Sequence, residues 1–285
     1  MSDPADQFTP HTTVAIVGVG LIGGSIAAAL KSRGHRGCIY GVGRSAKRLQ
    51  VAAGAGLIDE FSTNPCDIKA DLHVVCTPVD NIVRDANVVA DIVHEHAIVT
   101  DAGSVKECIC TRMDVELPGR FVGSHPLAGS EKQGFEHADP DLFVGRLCVI
   151  TPTMKTPETR VSFIEQFWQA IGMTTQRMSP AEHDAALAQT SHLPHMAASV
   201  LAGCLPTEWK DLTSTGFADT TRIAAGNAEL WTAIMLQNRD QLLAACDRFE
   251  DTWKTFRDAI EAKDADALTQ LLADAKTIRD AIKTD

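Results

Sequence analysis

The chain has 285 residues, 45% of them hydrophobic and 22% charged, with a formal net charge of −11 at pH 7. That length holds one large or two ordinary domains, and the composition is that of a globular protein. The acidic balance argues against a nucleic-acid or anionic-membrane partner. No apolar run approaches the roughly 18 residues that cross a bilayer, and the polar start Met1 to His11 has no signal-peptide core. A cytoplasmic enzyme is expected.

Residues 1–11 read as a loose tail. Val14 to Val17 is a short buried strand, Gly18, Gly20 and Gly23 then spell G-x-G-x-x-G, and an apolar helix follows through Leu30. Strand, glycine turn and helix in that order are the context a dinucleotide site requires. Gly18 permits the tight turn, Gly20 lets the backbone approach a pyrophosphate, and Gly23 lets the helix pack close to the strand. Leu21 and Ile22 open the helix, whose free N–H groups favour phosphate.

Cys38 to Val42 is the second strand. An acid that grips the ribose 2′-hydroxyl of NAD is usual at its end. Here Gly43 stands in that place and Arg44-Ser45 follow. Both can bind a 2′-phosphate, which favours NADP over NAD. The alternatives are that Arg44 is solvated or stacks on the adenine of NAD. Lys47 and Arg48 add positive charge nearby or, on the alternative, simply face solvent. A helix over Ala46 to Ala55 leads to a strand over Leu72 to Cys76, which ends in Thr77-Pro78 at the carboxyl edge, where ligands bind. A helix over Val79 to Val93 and a strand over Ala97 to Thr100 follow, then Asp101-Ala102-Gly103-Ser104-Val105-Lys106. Asp101, at that strand end, is expected beside the cofactor.

Arg120 to Gly123 is a strand running into Ser124-His125-Pro126-Leu127-Ala128-Gly129-Ser130-Glu131. A histidine at a strand end suits a general base, because its pKa lies near neutrality; a surface-loop histidine is the alternative. Strands over Leu147 to Thr151 and Met173 to Arg177 flank a helix over Pro157 to Ile171. The alternation implies a Rossmann-type, doubly wound parallel sheet over residues 12–178.

From residue 179 to 285 the pattern is helical, a substrate-binding and dimerisation domain. Glu182 to Gly203 is a helix that Pro194 should kink, with His192 and His195 beside it on one face. No third ligand has metal-site spacing, so no metal is expected. Arg222 suits a substrate carboxylate. Leu242, Cys246, Phe249, Trp253, Phe256 and Ile260 form a heptad stripe, and Leu268, Leu271, Ala275, Ile278 and Ile282 form another. Such stripes must be buried, within the chain or in a homodimer built on these helices. The eight cysteines are scattered without a C-x-x-C pair, so reduced packing residues are expected.

Taken together, Gly-x-Gly-Leu-Ile-Gly-Gly-Ser, Asp101 to Lys106, Ser124 to Glu131, Ser191 to His195 and Thr221-Arg222-Ile223-Ala224 resemble the prephenate/arogenate dehydrogenase family of tyrosine biosynthesis, over about residues 13–262. Beside that resemblance, neither the regulatory domain nor the chorismate mutase that some relatives append is expected in these 285 residues. The resemblance implies oxidative decarboxylation of prephenate, or of arogenate, with a nicotinamide cofactor. It implies that His125 accepts the proton of the substrate hydroxyl and that Ser104 bonds both His125 and that hydroxyl. Arg222 would pair with a substrate carboxylate, His195 would contact substrate, His192 would shape the pocket, and Glu131 would stand at its mouth. A β-hydroxyacid dehydrogenase of the same plan is the competing reading; it would need a lysine such as Lys210.

Overall fold

The computed structural model describes residues 7–91, 94–129 and 132–282. The chain runs β1 (Val14–Val17), α1 (Leu21–Ser32), β2 (Ile39–Val42), α2 (Ala46–Gly54), β3 (Glu60–Ser62), β4 (Leu72–Val75), α3 (Ile82–Ala90), β5 (Ile98–Asp101), α4 (Glu107–Glu116), β6 (Phe121–Pro126), β7 (Leu147–Thr151), α5 (Glu158–Ala170) and β8 (Thr174–Arg177). These strands form one sheet in the order β3-β2-β1-β4-β5-β6-β7-β8. The strand order reverses between β1 and β4, which opens a crevice at their carboxyl ends.

The sheet is covered on both faces, which explains the short apolar run of its central strand β1, buried at every residue. Successive side chains of a strand point to opposite faces. Val14 and Ile16 of β1 join a core with Ile26 and Leu30 of α1 and Phe167 and Trp168 of α5. Ala15 and Val17 join the opposite core, with Ile82 and Ala86 of α3 and Ile109 and Met113 of α4.

Three differences from the sequence reading have physical causes. The sheet is not wholly parallel: β7 runs antiparallel to β6, and β8 is parallel to β7. Among the described residues, the connection from β6 to β7 holds a 3-10 turn, Phe135–His137, and no α-helix. A parallel neighbour requires a crossover of a dozen or more residues, usually helical, and α5 provides one only between β7 and β8. β3 and α4 are absent from the sequence reading. Three residues with an exposed first half make no strand signal, and α4 has no side-chain cap of its own. Residues 8–11 are not loose. Phe8 stacks on His35 and meets the edges of Phe163 and Phe167, and its N–H donates to Gln166 at 3.1 Å. The expected end of α3 at 92–93 lies outside the described residues.

After β8 the chain is helical: α6 (Pro180–Leu187), α7 (Leu193–Gly203), α8 (Thr215–Thr221), α9 (Ala228–Gln237), α10 (Arg239–Glu261) and α11 (Ala265–Ala281). Ser179 and Glu182 form a capping box at the start of α6, with Pro180 in its first turn. The expected kink at Pro194 is a π-turn over Ala188–His192, which places Pro194 in the first turn of α7. There its missing N–H costs little. The heptad stripe is covered only at its start. Leu242 is buried, whereas Trp253 is 66% exposed, Ile260 63% and Ile278 69%. No residue of α11 is buried. Among the described residues, no helix is long and apolar enough to cross a membrane.

His73 on β4 is buried, and neither ring nitrogen has a hydrogen-bond partner. Burial, followed by His94, lowers its pKa from 6.5 to about 4, against a smaller opposing pull from Asp71. The folded protein therefore binds fewer protons than the unfolded chain between these values, and stability is lost as pH falls from about 6.5 toward 4. A shift of that size corresponds to roughly 3 kcal/mol. Urea midpoints should drop steeply between pH 7 and pH 5, and His73→Leu should shallow that slope.

Candidate active site

The glycine turn is built as a phosphate cradle. Gly18 has φ +98°, and a Cβ there would lie 3.0 Å from the carbonyl of Cys76 at the end of β4. A Cβ on Gly23 would lie 2.3 Å from the Gly18 carbonyl oxygen, so only glycine lets α1 start so close to β1. Around Gly20 a Cβ would meet nothing within 4 Å. That open space lies at an N-terminus with no side-chain cap and no acid in its first turn. Leu21 and Ile22 are half-buried behind it. Thr77 faces Gly18 across the crevice, and its Oγ1 is buried without a partner; Pro78 beside it is exposed. An orphaned hydroxyl, an open cradle and free helix N–H groups fit a dinucleotide pyrophosphate.

At the end of β2, Arg44 and Ser45 are exposed, and the Ser45 hydroxyl caps α2 by accepting from the Arg48 N–H at 3.3 Å. Arg48 is not simply solvated. It pairs with Glu136 at 3.2 Å and lies over the Phe135 ring at 5.3 Å, tying the β6–β7 connection to α2.

Asp101 is withdrawn from the cofactor. It is fully buried, and its carboxylate receives Lys106 Nζ, the Gly103 N–H at 2.9 Å and the Ser124 N–H at 3.2 Å. Lys106, also fully buried, donates to the Ser124 carbonyl at 3.0 Å as well. A buried ammonium requires such a partner, and the Asp101 carboxylate is consumed in supplying it. Beneath them, the Ser124 hydroxyl donates to the Asp101 carbonyl at 2.5 Å and accepts from the Trp168 indole at 3.0 Å.

His125 sits on this platform, half-buried at the end of β6. Its Nδ1 is 2.8 Å from Nε2 of His183 on α6, and Nδ1 of His183 is 2.7 Å from Asp184 Oδ1. Asp184 also accepts the N–H groups of Lys106 at 2.8 Å and Glu107 at 2.9 Å. Burial first, then His183 and Lys106, hold the His125 imidazole well below the ordinary histidine value. Burial likewise lowers His183. Ser104 is half-buried on the loop between Asp101 and Lys106; its hydroxyl bonds none of the described residues, and the structure pairs His125 with His183 instead.

Further candidate residues lie in the helical part. His195 is buried and stacks on Trp231, with centroids 3.6 Å apart and a 14° interplanar angle, and its Nδ1 has no partner. Burial lowers its pKa, so it presents a neutral ring. A Cβ on Gly226 would lie within 3 Å of both rings, so the chain passes there only as glycine. His192 is buried and accepts at Nδ1 from the Asn238 amide at 3.0 Å; burial lowers its pKa to about 4. Arg222 is exposed on the 3-10 turn Arg222–Ala225, which follows α8. Glu131 lies outside the described residues. Lys210, the lysine of the competing reading, is exposed on the 3-10 turn Thr207–Leu212.

Sequence reading missed His183, Asp184, Lys106, Trp231 and Asn238. One signal was present: an adjacent His-Asp pair in the second turn of a capped helix, where a buried charge needs a partner.

Residues 26–176 match the family described as "Prephenate dehydrogenase, nucleotide-binding domain", and residues 179–274 match "Prephenate dehydrogenase, dimerization domain". The chain is 34% identical over 288 residues to a cyclohexadienyl dehydrogenase of Zymomonas mobilis, covering 98% of each. It is 32% identical to a prephenate dehydrogenase of Bacillus subtilis, over 95% of this chain and 76% of that protein. A crystal structure of prephenate dehydrogenase from A. aeolicus, in complex with hydroxyphenyl propionate and NAD+, superposes with a TM-score of 0.90 at 33% identity, covering 95% of this chain and 98% of that one. Arogenate dehydrogenase of Synechocystis superposes with a TM-score of 0.84 at 31% identity, covering 94% and 99%.

The cradle predicts opposite behaviour at two glycines. Gly20→Ala should keep its melting temperature and weaken dinucleotide binding at least tenfold, because its methyl fills ligand space. Gly23→Ala should lose both, since its methyl meets backbone and overpacking costs about 1–3 kcal/mol. Thermal melts and a cofactor titration of both variants check this.

Proposed function

The chain belongs to the prephenate dehydrogenase family, and we propose that it oxidatively decarboxylates prephenate to 4-hydroxyphenylpyruvate. The observation that carries this reading is a neutral, half-buried His125 held at the end of β6 on a rigid polar platform. A neutral imidazole there can accept the hydroxyl proton as the ring carbon becomes a carbonyl. When bound, the oxidised nicotinamide supplies the hydride acceptor. Aromatisation on loss of carbon dioxide drives the reaction, so the protein mainly orients the substrate and handles one proton.

Gly18, Gly20, Gly23, Leu21, Ile22, Thr77 and Pro78 would hold the cofactor. Ser104, on the loop clamped between Asp101 and Lys106, would bond the substrate hydroxyl. Arg222 would pair with a substrate carboxylate, His195 would offer its unpartnered nitrogen, and His192 would line the wall. The exposed Arg44 beside side-chain-free Gly43, at the start of α2, supports NADP over NAD, since no acid stands there to repel a 2′-phosphate. The uncovered face of α10 and α11 supports a homodimer. The folded chain is read as a cytoplasmic enzyme. Arogenate is the second reading, favoured by the likeness to the Synechocystis enzyme; the two substrates differ in one keto or amino group.

His125→Asn should lower kcat by at least about 100-fold while dinucleotide affinity stays within twofold. In the unsubstituted enzyme, activity should persist until the pH falls well under 6.5, because His125 must be neutral to act and burial holds its pKa down. Unchanged turnover in the variant counts against the assignment. A grid of prephenate and arogenate against NAD and NADP should show faster turnover with prephenate and NADP. Faster turnover with NAD at equal concentration overturns the reading of Gly43 and Arg44.

A further inference from the structure

The direction of the His125–His183–Asp184 chain is determined at its far end. A carboxylate only accepts, so His183 Nδ1, 2.7 Å from Asp184 Oδ1, carries a proton and donates it. A neutral His183 then has its lone pair on Nε2. The 2.8 Å contact between the rings is therefore donated by His125 Nδ1–H. A neutral His125 is left with its basic lone pair on Nε2. The Asp184 carboxylate cannot swing away, because the Lys106 and Glu107 N–H groups hold both of its oxygens.

We propose that His183 and Asp184 are positioning residues that fix His125 as an Nε2 base and share the proton it accepts. This rests on the reading of His125 as the proton acceptor. In the oxidation, the substrate O–H bond breaks and an Nε2–H bond forms on His125. The Nδ1–H bond of His125 then breaks as Nε2 of His183 takes that proton. The positive charge comes to rest on the ring beside Asp184. When carbon dioxide leaves, the electron pair of the broken C–C bond enters the ring and the former carbonyl oxygen becomes phenolate. The protons step back and Nε2 returns one to that oxygen. No proton is gained or lost over the cycle, so the chain serves as a store and needs no exit to solvent. Lys106, His192 and Cys148 also face His125, and Asp101 lies near His183. Lys106 is committed to Asp101 and Ser124, and His192 to Asn238, which leaves His183 as the ring bonded to His125.

The test is 15N NMR of the full-length protein labelled in histidine, with His125→Asn used to assign the signal. The expected result is a His125 protonated on Nδ1, and protonation on Nε2 overturns the proposal even without a variant. His183→Gln keeps an acceptor for His125 and a donor for Asp184 but cannot take a proton. It should preserve the His125 tautomer, keep KM for both substrates within about threefold, lower kcat about 10- to 100-fold and shift the acidic limb of the kcat profile. His183→Leu should lose the single tautomer as well. Wild-type kcat and pH profile in His183→Gln, with His125→Asn inactive, overturns the relay alone. Activity in His125→Asn overturns the reading beneath it.

Discussion

The Asp184 carboxylate does the work of a helix cap from another part of the chain. α4 begins with unpaired N–H groups and no side chain of its own to meet them. Asp184, on α6, accepts those of Lys106, just before the helix, and Glu107, its first residue, at 2.8 and 2.9 Å. A cap of this kind stabilises a helix by about 0.5–2 kcal/mol, and a negative charge there also meets the positive end of the helix dipole. The same carboxylate orients His183. One group thus fastens the helical part to the sheet, fixes the start of α4 and reaches the His125 ring.

Around that contact the site is stiff on one side and open on the other. Lys106 and Asp101 form a fully buried pair whose remaining valences go to backbone and to Ser124. Removing one member of such a pair typically costs about 3–5 kcal/mol, because the other charge is left without compensation. The residues proposed to meet ligand are in the opposite condition. Thr77 Oγ1 and His195 Nδ1 are buried with no partner, and Gly20 faces space. Unsatisfied groups are expensive in a finished interior, and those of Thr77, just after β4, and His195, on α7, are ones a ligand can satisfy.

The apolar surface divides in the same way. The sheet closes its two cores mainly with helices from its own sequence neighbourhood, and Ile234 of α9 enters the second. The helical part has only a small core, around Ala188, Leu193, Leu242 and Ala245. Trp253, Ile260, Leu272 and Ile278 stay exposed on α10 and α11. An apolar face of that extent is stable in water when another surface covers it.

Much was legible from local rules. The glycine turn, the alternating strands and helices, the change to a helical pattern at residue 179 and the apolar stripes follow from backbone conformation and periodicity, which short windows contain. His125 was legible as a candidate because the carboxyl end of a strand in such a sheet is a functional position whatever surrounds it. What short windows lack is the partner of each polar group. Asp101 reads as a ligand-facing acid until Lys106 folds back onto it. The antiparallel turn of β7 depends on a connection without a helix. His183 and Asp184 lie 58 and 59 positions beyond His125 and read as an ordinary polar helix start. Local sequence determined the elements and the kind of chemistry. Only tertiary packing decided which charges are spent on structure and which nitrogen remains basic, because both depend on neighbours brought together across the chain.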